Sequence, residues 1–210
     1  MTLPVDPLAL WPFLIGVLLV EATPGPNMGY LAALSVSEGR KAGMKAVLGV
    51  TLGLSVYMIL AVIGVAQIIA RLPLVYSVLR WAGVAYLLYL AWSAWQASDE
   101  TSPSDSEGGF AAPFWRGFLA NILNPKAIVF YVSLLPSFVS AERAAIWVQA
   151  LIFGLLHILI SILVHTAIVA GAAHTGSLLD DNVGQTRLRR IMALLIACVA
   201  VWLAWETRRA

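Results

Sequence analysis

The sequence predicts an all-α polytopic membrane protein with six transmembrane helices. Two observations predict this fold class: 60% of the 210 residues are hydrophobic, and only 11% are charged. The mean hydropathy is +0.86. A soluble domain needs more polar residues than this to cover its surface. The composition therefore excludes a soluble enzyme, and the scattered basic residues give no reason to expect a nucleic-acid partner.

Six segments reach or approach the length of about 20 apolar residues that a membrane-spanning helix needs. They are residues 8–35, 46–70, 72–95, 114–138, 144–173 and 188–205. A polar, acidic stretch at 96–109 separates the first three segments from the last three. We expect one transmembrane domain, residues 1–210, with two three-helix halves at 1–95 and 114–210 joined by the loop 96–113.

The first and fourth segments are interrupted by proline. The first breaks at Thr23-Pro24-Gly25-Pro26-Asn27, and the piece before the break would reach only about 22 Å at 1.5 Å per residue. The fourth breaks at Asn124-Pro125. Proline removes a backbone donor and clashes with the preceding turn. Irregular backbone at membrane depth requires protein or water around it, so we expect both breaks to lie inside the protein.

The two breaks fall at matching places in the two halves. A shift of 101 residues superposes Pro24 on Pro125 and Tyr30 on Tyr131. With three helices in each half, equivalent helices run in opposite directions. Interrupted spans at corresponding positions are typical of transporters built from inverted repeats. The sequence therefore predicts two inverted three-helix repeats.

Each break also predicts a fresh half-helix. Thr23 and Asn124 have the side chains of N-cap residues, and the proline after each suits the first helical position. A helix N-terminus presents free N–H groups and the positive end of a dipole, which suit an anion such as a carboxylate. Glu21 has the opposite charge and could hold an ammonium group or a proton. The breaks are therefore candidate sites for a zwitterion.

The predicted substrate-binding residues surround the two breaks. They are Glu21, Thr23, Pro24, Gly25, Pro26, Asn27, Asn121, Asn124, Pro125 and Lys126. Two simpler interpretations remain open: the prolines only kink the helices, and Glu21 and Lys126 pair with each other or extend to water. Charges within spans are costly and usually mark a pathway or a partner. A functional role for the two charges is therefore favoured.

The fifth segment carries His157, Ser161 and His165 on one broad helix face. A proton relay is one interpretation, because histidine titrates near neutrality. Hydrogen bonds between helices are the favoured alternative, because no acidic residue lies between Arg143 and Asp180. The spacing suits metal ligation poorly, so we expect no metal site and no cofactor. His157 and His165 remain proton-coupling candidates beside Glu21.

Loop charges and glycines add two further predictions. Seven basic residues (Arg40, Lys41, Lys45, Arg116, Arg187, Arg189 and Arg190) lie in loops after odd-numbered segments, against four on the other side. The positive-inside rule then places both termini outside the cell. The pairs Gly39/Gly43 and Gly49/Gly53 are spaced for close helix packing, with a dimer interface as the alternative.

Several motifs resemble a known family when they are taken in order. They are Thr23-Pro24-Gly25-Pro26-Asn27, Gly39-Arg40 with Gly43 and Gly49, Arg80-Trp81-Ala82-Gly83-Val84-Ala85-Tyr86-Leu87, Arg116-Gly117-Phe118, Asn121 to Asn124-Pro125-Lys126-Ala127, and Pro136-Ser137-Phe138. Together they resemble the LysE superfamily of lysine exporters, and within it the homoserine/threonine and leucine exporter branch. The resemblance covers residues 23–138.

The resemblance implies a six-helix exporter of amino acids in the bacterial inner membrane, driven by the proton-motive force and able to dimerise. The expected function is proton antiport of a neutral or small polar amino acid. The expected partners are the amino acid, protons, the lipid bilayer and a second copy of the chain.

Three other functions stay open. Export of a metal or other inorganic cation would require a ring of acidic or thiol ligands. A membrane-embedded enzyme would require a nucleophile with its base, or a metal set, and the sequence contains no HExxH or GxSxG motif. A non-transporting accessory subunit would have no need of two broken helices.

Overall fold

The computed structural model describes residues 3–23, 25–64, 73–96, 111–177 and 182–209. Pro24, the acidic loop 97–110 and the pair Asp180-Asp181 lie outside the described residues. The helices are α1 (Pro7–Ala22), α2 (Pro26–Val62), α3 (Pro73–Gln96), α4 (Ala111–Ile122), α5 (Pro125–Val129), α6 (Ile146–Ser177) and α7 (Asn182–Arg209). A π-helical turn (Phe130–Leu134) and a 3-10 turn (Leu135–Phe138) follow α5. No strand occurs within the described ranges, so the all-helical prediction is confirmed.

The first break lies between α1 and α2, and it corrects the predicted cap. Thr23 is the C-cap of α1, where its Oγ1 donates to the Leu19 carbonyl at 2.8 Å. The next helix begins at Pro26, with Gly25 as its N-cap in extended conformation (φ −137°, ψ 170°). A residue before proline is disfavoured in the α region. Pro26 therefore keeps Gly25 extended, and the new helix begins at the later proline.

Within α2 the chain folds back sharply at Gly39. Gly39 has φ 81° and ψ 176°, a conformation open essentially to glycine alone. A Cβ at Gly43 would overlap the Ser35 hydroxyl, although eight residues of straight helix would separate the two positions by about 12 Å. The arms 26–38 and 40–62 therefore lie side by side.

The second break separates α4 from α5 and bends the chain by 51°. Asn124 is the N-cap of α5, and its side chain accepts a hydrogen bond from the Lys126 N–H at 3.1 Å. Pro125 occupies the first helical position, which tolerates the missing N–H. The predicted cap at this break is confirmed.

By length and composition, two helical stretches among the described residues suffice to cross a membrane, one of which includes the reversal of α2 at Gly39, and a third results if the bent pair counts as one. The two are Asn27–Val62 and Ile146–Ser177, and the bent pair is Ala111–Ile122 with Pro125–Phe138. Pro7–Ala22 and Trp81–Trp92 are shorter apolar helices. Large apolar side chains are exposed on most helices, including Leu8 on α1 and Trp92 on α3. Such a surface suits lipid rather than water.

Glycines bring α2 close to α4 and α6. A Cβ at Gly49 would overlap the Phe114 carbonyl, and a Cβ at Gly117 would overlap the Ala46 carbonyl. Gly43 contacts Val169 of α6 in the same way. The close-packing prediction is confirmed for Gly43, Gly49 and Gly53, whose faces are covered within one chain, whereas a Cβ at Gly39 would meet nothing within 4 Å. A homodimer stays a prediction.

Two ion pairs mark opposite ends of the bundle. Arg143, in the loop before α6, lies 3.4 Å from Asp6 at the start of α1. Arg116 in α4 lies 3.8 Å from Glu38, beside the reversal of α2. Since α1 and α4 start from different ends and both stop midway, their broken ends meet in the middle of the molecule.

Candidate functional site

The two breaks contact each other directly through Lys126. This residue follows Pro125 at the start of α5, and its Nζ donates to the Thr23 carbonyl at 2.9 Å. Gly25 lies against the aliphatic part of the same side chain. Thr23 ends α1, where the helix dipole is negative, so the ammonium group is well placed electrostatically. One donor of Lys126 therefore joins the fourth segment to the first.

An amide pair forms the second connection between the breaks. Asn27 Nδ2, in the first turn of α2, donates to Asn121 Oδ1 near the end of α4 at 2.7 Å. The exposed fractions of the two side chains are 4% and 0%. Asn27 Oδ1 and Asn121 Nδ2 have no partner although they are buried. An acceptor and a donor are thus left unused, and buried groups of this kind are costly unless something binds them.

Glu21 lies between two histidines of α6. Its Oε1 is 3.3 Å from His157 Nε2, and its Oε2 is 3.7 Å from His165 Nε2. All three side chains are buried. We call these three residues the carboxylate clamp. The clamp joins the last turn of α1 to the middle of α6, and charges held so far from water require close partners.

Two hydroxyl groups complete the hydrogen bonding of the carboxylate clamp. The Tyr131 hydroxyl is 3.1 Å from His157 Nδ1, and Ser161 Oγ is 3.1 Å from His165 Nδ1. Phe130 stacks on the His157 ring with centroids 3.7 Å apart. Tyr131 and Phe130 belong to the π-helical turn, a feature that is frequent at functional sites. His157 therefore uses both ring nitrogens in hydrogen bonds, whereas His165 uses Nδ1, and its Nε2 contacts Glu21 only at ion-pair distance.

A cavity of about 20 Å³ lies among these groups. Its lining includes eight residues from the predicted site and proton-coupling sets: Glu21, Gly25, Asn27, Asn121, Asn124, Lys126, His157 and His165. This volume is enough for one water molecule. Both charge signs face the cavity, with the carboxylate supplied by α1 and the ammonium group by α5. The cavity in this conformation is smaller than an amino acid.

The other predicted residues have different positions. Pro26 and Pro125 occupy first helical positions and thereby set where α2 and α5 begin. Thr23 contributes its backbone carbonyl rather than a capping hydroxyl. Pro24 lies outside the described residues.

Glu21 and Lys126 do not form an ion pair with each other in the part of the chain that the structure describes. The acidic partner of the two histidines is Glu21, from a distant part of the sequence. The interpretation of the two histidines as hydrogen-bonded between helices is therefore correct for His157. Glu21 of α1 supplies the acid that residues 144–179 do not contain.

Sequence reasoning missed Tyr131 and Phe130. Neither residue has a motif around it, and both sit in an apolar run that predicts ordinary core positions. The repeat alignment with Tyr30 was the one available signal for Tyr131. Among the described residues, no three His, Cys, Asp or Glu side chains could hold a metal ion together.

The fold and site define a class: a helical membrane protein in which two broken segments enclose a buried polar centre. The family model for the LysE type translocator matches residues 18–207. The chain therefore belongs to the LysE type translocator family, as the motif resemblance predicted.

Individual relatives agree with this membership. The leucine efflux proteins of Salmonella choleraesuis and Salmonella typhi are 36% identical over 132 residues, covering 61% of this chain and 62% of theirs. The match thus spans about three fifths of the length of these relatives. An uncharacterized membrane protein of Pseudomonas aeruginosa is 32% identical over 160 residues, which is 73% of this chain and 74% of the relative. No solved structure matches the chain.

Proposed function

We propose that this protein exports amino acids across the bacterial inner membrane by proton antiport, with a neutral or small polar substrate such as leucine, threonine or homoserine. The observation that carries the proposal is the meeting of two broken helices around a buried centre with both charge signs. Family membership supports export, and the name of the leucine efflux relatives supports an amino acid as the substrate.

The substrate head group would bind between the breaks. The Lys126 ammonium group has three N–H donors. One donates to the Thr23 carbonyl, and the other two can donate to a carboxylate. Asn121 Nδ2 is a second unused donor, and Asn27 Oδ1 is an unused acceptor for an ammonium group. The carboxylate of a zwitterion would accept from Lys126 and Asn121, and its ammonium group would donate to Asn27.

The coupled proton would reside on the carboxylate clamp. Both oxygens of Glu21 face histidine nitrogens, so the carboxylate is better placed to exchange a proton than to hold the substrate ammonium group. His157 and His165 would share that proton. The substrate and proton sites then adjoin in one cavity, so that occupation of one can exclude occupation of the other, which is what antiport requires.

The proposed architecture has six membrane crossings in two inverted repeats, with both termini outside the cell. The opposed directions of α1 and α4 and the fold-back at Gly39 support it. Because the cavity holds one water molecule, transport requires opening toward each side in turn. A homodimer remains a prediction from the family resemblance.

The first test is uptake of radiolabelled amino acids into proteoliposomes that contain this protein alone, with and without an imposed pH gradient. We expect gradient-dependent movement of one substrate class. Lys126→Met removes the ammonium group and keeps the aliphatic chain, and we expect it to reduce transport at least tenfold. Lys41→Met removes an exposed cation outside the cavity and should transport like the unaltered protein.

Two results would contradict the proposal. Folded, inserted protein that moves no amino acid would remove the substrate assignment, and the next assays would use inorganic cations and partner subunits. Equal transport by Lys126→Met and the unaltered protein would leave an amino-acid transporter whose site lies elsewhere.

A further inference from the structure

The two histidines of the carboxylate clamp have the same pattern of neighbours. In each ring Nε2 faces Glu21 and Nδ1 faces a hydroxyl group, from Tyr131 for His157 and from Ser161 for His165. The two hydroxyls come from different elements, since Tyr131 lies in the π-helical turn and Ser161 in α6. The pattern therefore does not follow from helix periodicity alone.

The pattern selects one tautomer when Glu21 is ionised. A carboxylate only accepts hydrogen bonds, so His157 must carry its proton on Nε2 to satisfy the contact with Oε1. Its Nδ1 is then an acceptor, and the Tyr131 hydroxyl donates to it. The opposite tautomer would set the Nε2 lone pair against a carboxylate oxygen.

The donor and acceptor in the hydrogen bond between His157 Nδ1 and the Tyr131 hydroxyl exchange roles when the clamp gains one proton. If the proton stays on His157, both ring nitrogens carry hydrogen; if it stays on Glu21, its hydroxyl donates to Nε2 and the ring proton lies on Nδ1. In both cases Nδ1 becomes a donor and the Tyr131 oxygen must accept. If the proton stays on His157, only the Nδ1–H bond forms; if it ends on Glu21, the Nε2–H bond breaks as the Oε1–H and Nδ1–H bonds form, and in both cases one proton is added in total. A hydroxyl group can form a hydrogen bond with Nδ1 both before and after the clamp is protonated, because a hydroxyl both donates and accepts.

We propose that Tyr131 is a positioning residue for His157 and Ser161 for His165: each hydroxyl donates to Nδ1 of the neutral ring and accepts from Nδ1 of whichever ring gains the proton, and Tyr131 thereby holds neutral His157 in the Nε2–H tautomer. The physiological meaning of this inference rests on the proposed function, because it concerns the proton that antiport would exchange. The inference itself concerns the protonation of the clamp and can be tested without transport.

The other groups around His157 come from α2, α5 and the π-helical turn. Lys126 lines the same cavity from α5, and its ammonium group is bonded to the Thr23 carbonyl. The Tyr57 ring of α2 stacks on Tyr131, while its hydroxyl donates to the Ile122 carbonyl. Phe130 covers one face of the imidazole. Among the described groups, Tyr131 is therefore the hydroxyl available to Nδ1.

The test is nitrogen NMR of protein labelled with ¹⁵N-histidine in lipid nanodiscs, titrated with pH. The chain has three histidines, so a His165→Gln variant and the exposed His174 assign the signals. We expect His157 to carry its proton on Nε2 at high pH. Tyr131→Phe keeps the buried ring and should move the pH midpoint of His157 toward acid by about one unit, because bonds to charged groups are the stronger ones.

The controls separate positioning from packing. Tyr86→Phe removes a hydroxyl that donates to the Arg116 carbonyl, away from the clamp, and should leave the His157 midpoint unchanged. Ser161→Ala should move the midpoint of His165, and Ser161→Thr should restore it. Thermal unfolding of each variant reports folding separately.

Two results would overturn the inference: an Nδ1–H tautomer of His157 at high pH, or an equal midpoint in folded Tyr131→Phe and the unaltered protein. Neither result would bear on amino-acid export, which the proteoliposome assay measures. Conversely, absence of amino-acid transport would leave the tautomer result standing, so the two failures are distinguishable.

Discussion

Glu21 has the most demanding environment of the residues around the cavity. It is 5% exposed, and both of its oxygens face a histidine of α6. An ionised carboxylate inside a membrane protein is costly without such partners. Its neighbours therefore explain how a charge can be retained at membrane depth, and its position at the end of α1 brings it to the break where the substrate would bind.

Glu21→Gln tests the residue directly. Glutamine keeps the size and accepts a hydrogen bond from His157, but it cannot exchange a proton. We expect proton-driven transport to fall at least a hundredfold, while exchange of substrate across the membrane without a gradient persists. The measurement compares the two modes in proteoliposomes.

Glu38→Gln is the matched control for that prediction. Glu38 is exposed at one end of the bundle, where it pairs with Arg116, and its neutralisation should change neither mode. Unaltered gradient-driven transport by folded Glu21→Gln would remove Glu21 from the coupling mechanism.

At the scale of elements, the position of the site depends on how closely α2 and α4 approach. Gly49 and Gly117 face the backbone of the opposite helix, and Gly53 faces the Asn121 side chain. Small residues allow helices in a membrane to pack by van der Waals contact. The same contact brings Asn121 of α4 to Asn27 of α2, so helix packing and site geometry depend on the same glycines.

Gly117→Ala should increase the distance between α2 and α4. The added methyl group would overlap the Ala46 carbonyl, and overpacking of this kind lowers the free energy of unfolding by about 1–3 kcal/mol. We also expect weaker substrate binding, because the Asn27–Asn121 pair would be displaced. Thermal unfolding in detergent and a binding isotherm measure the two effects.

Gly171→Ala is the control, because a Cβ at that position of α6 meets no atom within 4 Å. Alanine there should raise stability by about 0.5–1 kcal/mol through helix propensity. Equal stability of the two alanine variants would show that the close approach of α2 and α4 is not required.

At the scale of the whole molecule, two contacts define which loops share an end. The Asp6–Arg143 pair joins the N-terminal segment to the loop before α6, and the Glu38–Arg116 pair joins the α2 reversal to the start of α4. Arg40, Lys41 and Arg116 therefore lie toward one end. The positive-inside rule assigns that end to the cytoplasm.

Cysteine labelling tests this assignment. In a Cys198→Ser background, Lys41→Cys should react with a membrane-impermeant maleimide only after lysis, and Glu142→Cys should react in intact cells. Both positions are exposed. Labelling of Glu142→Cys only after lysis would invert the orientation, and labelling of both positions from one side would contradict the proposed crossings.

Local sequence predicted several features of the fold and site. The proline positions located both breaks, because missing N–H groups and steric clashes act within a few residues. Asn124 was correctly predicted as a cap. Thr23 was wrongly predicted as a cap, because two prolines follow it and α2 begins at the second of them, Pro26. Glu21 and Lys126 were correctly expected near the breaks. The alternative that they pair with each other was wrong, and their roles toward substrate and proton stay predictions.

By itself the sequence determined the membrane class, the all-helical secondary structure, the two breaks and the family, because composition, hydropathy and proline chemistry are local properties. Only the tertiary structure decided that Glu21 lies between His157 and His165, that Tyr131 contacts His157, and that Asn27 joins Asn121. These contacts connect positions up to 144 residues apart. They depend on helix rotation and packing, which hydropathy does not encode.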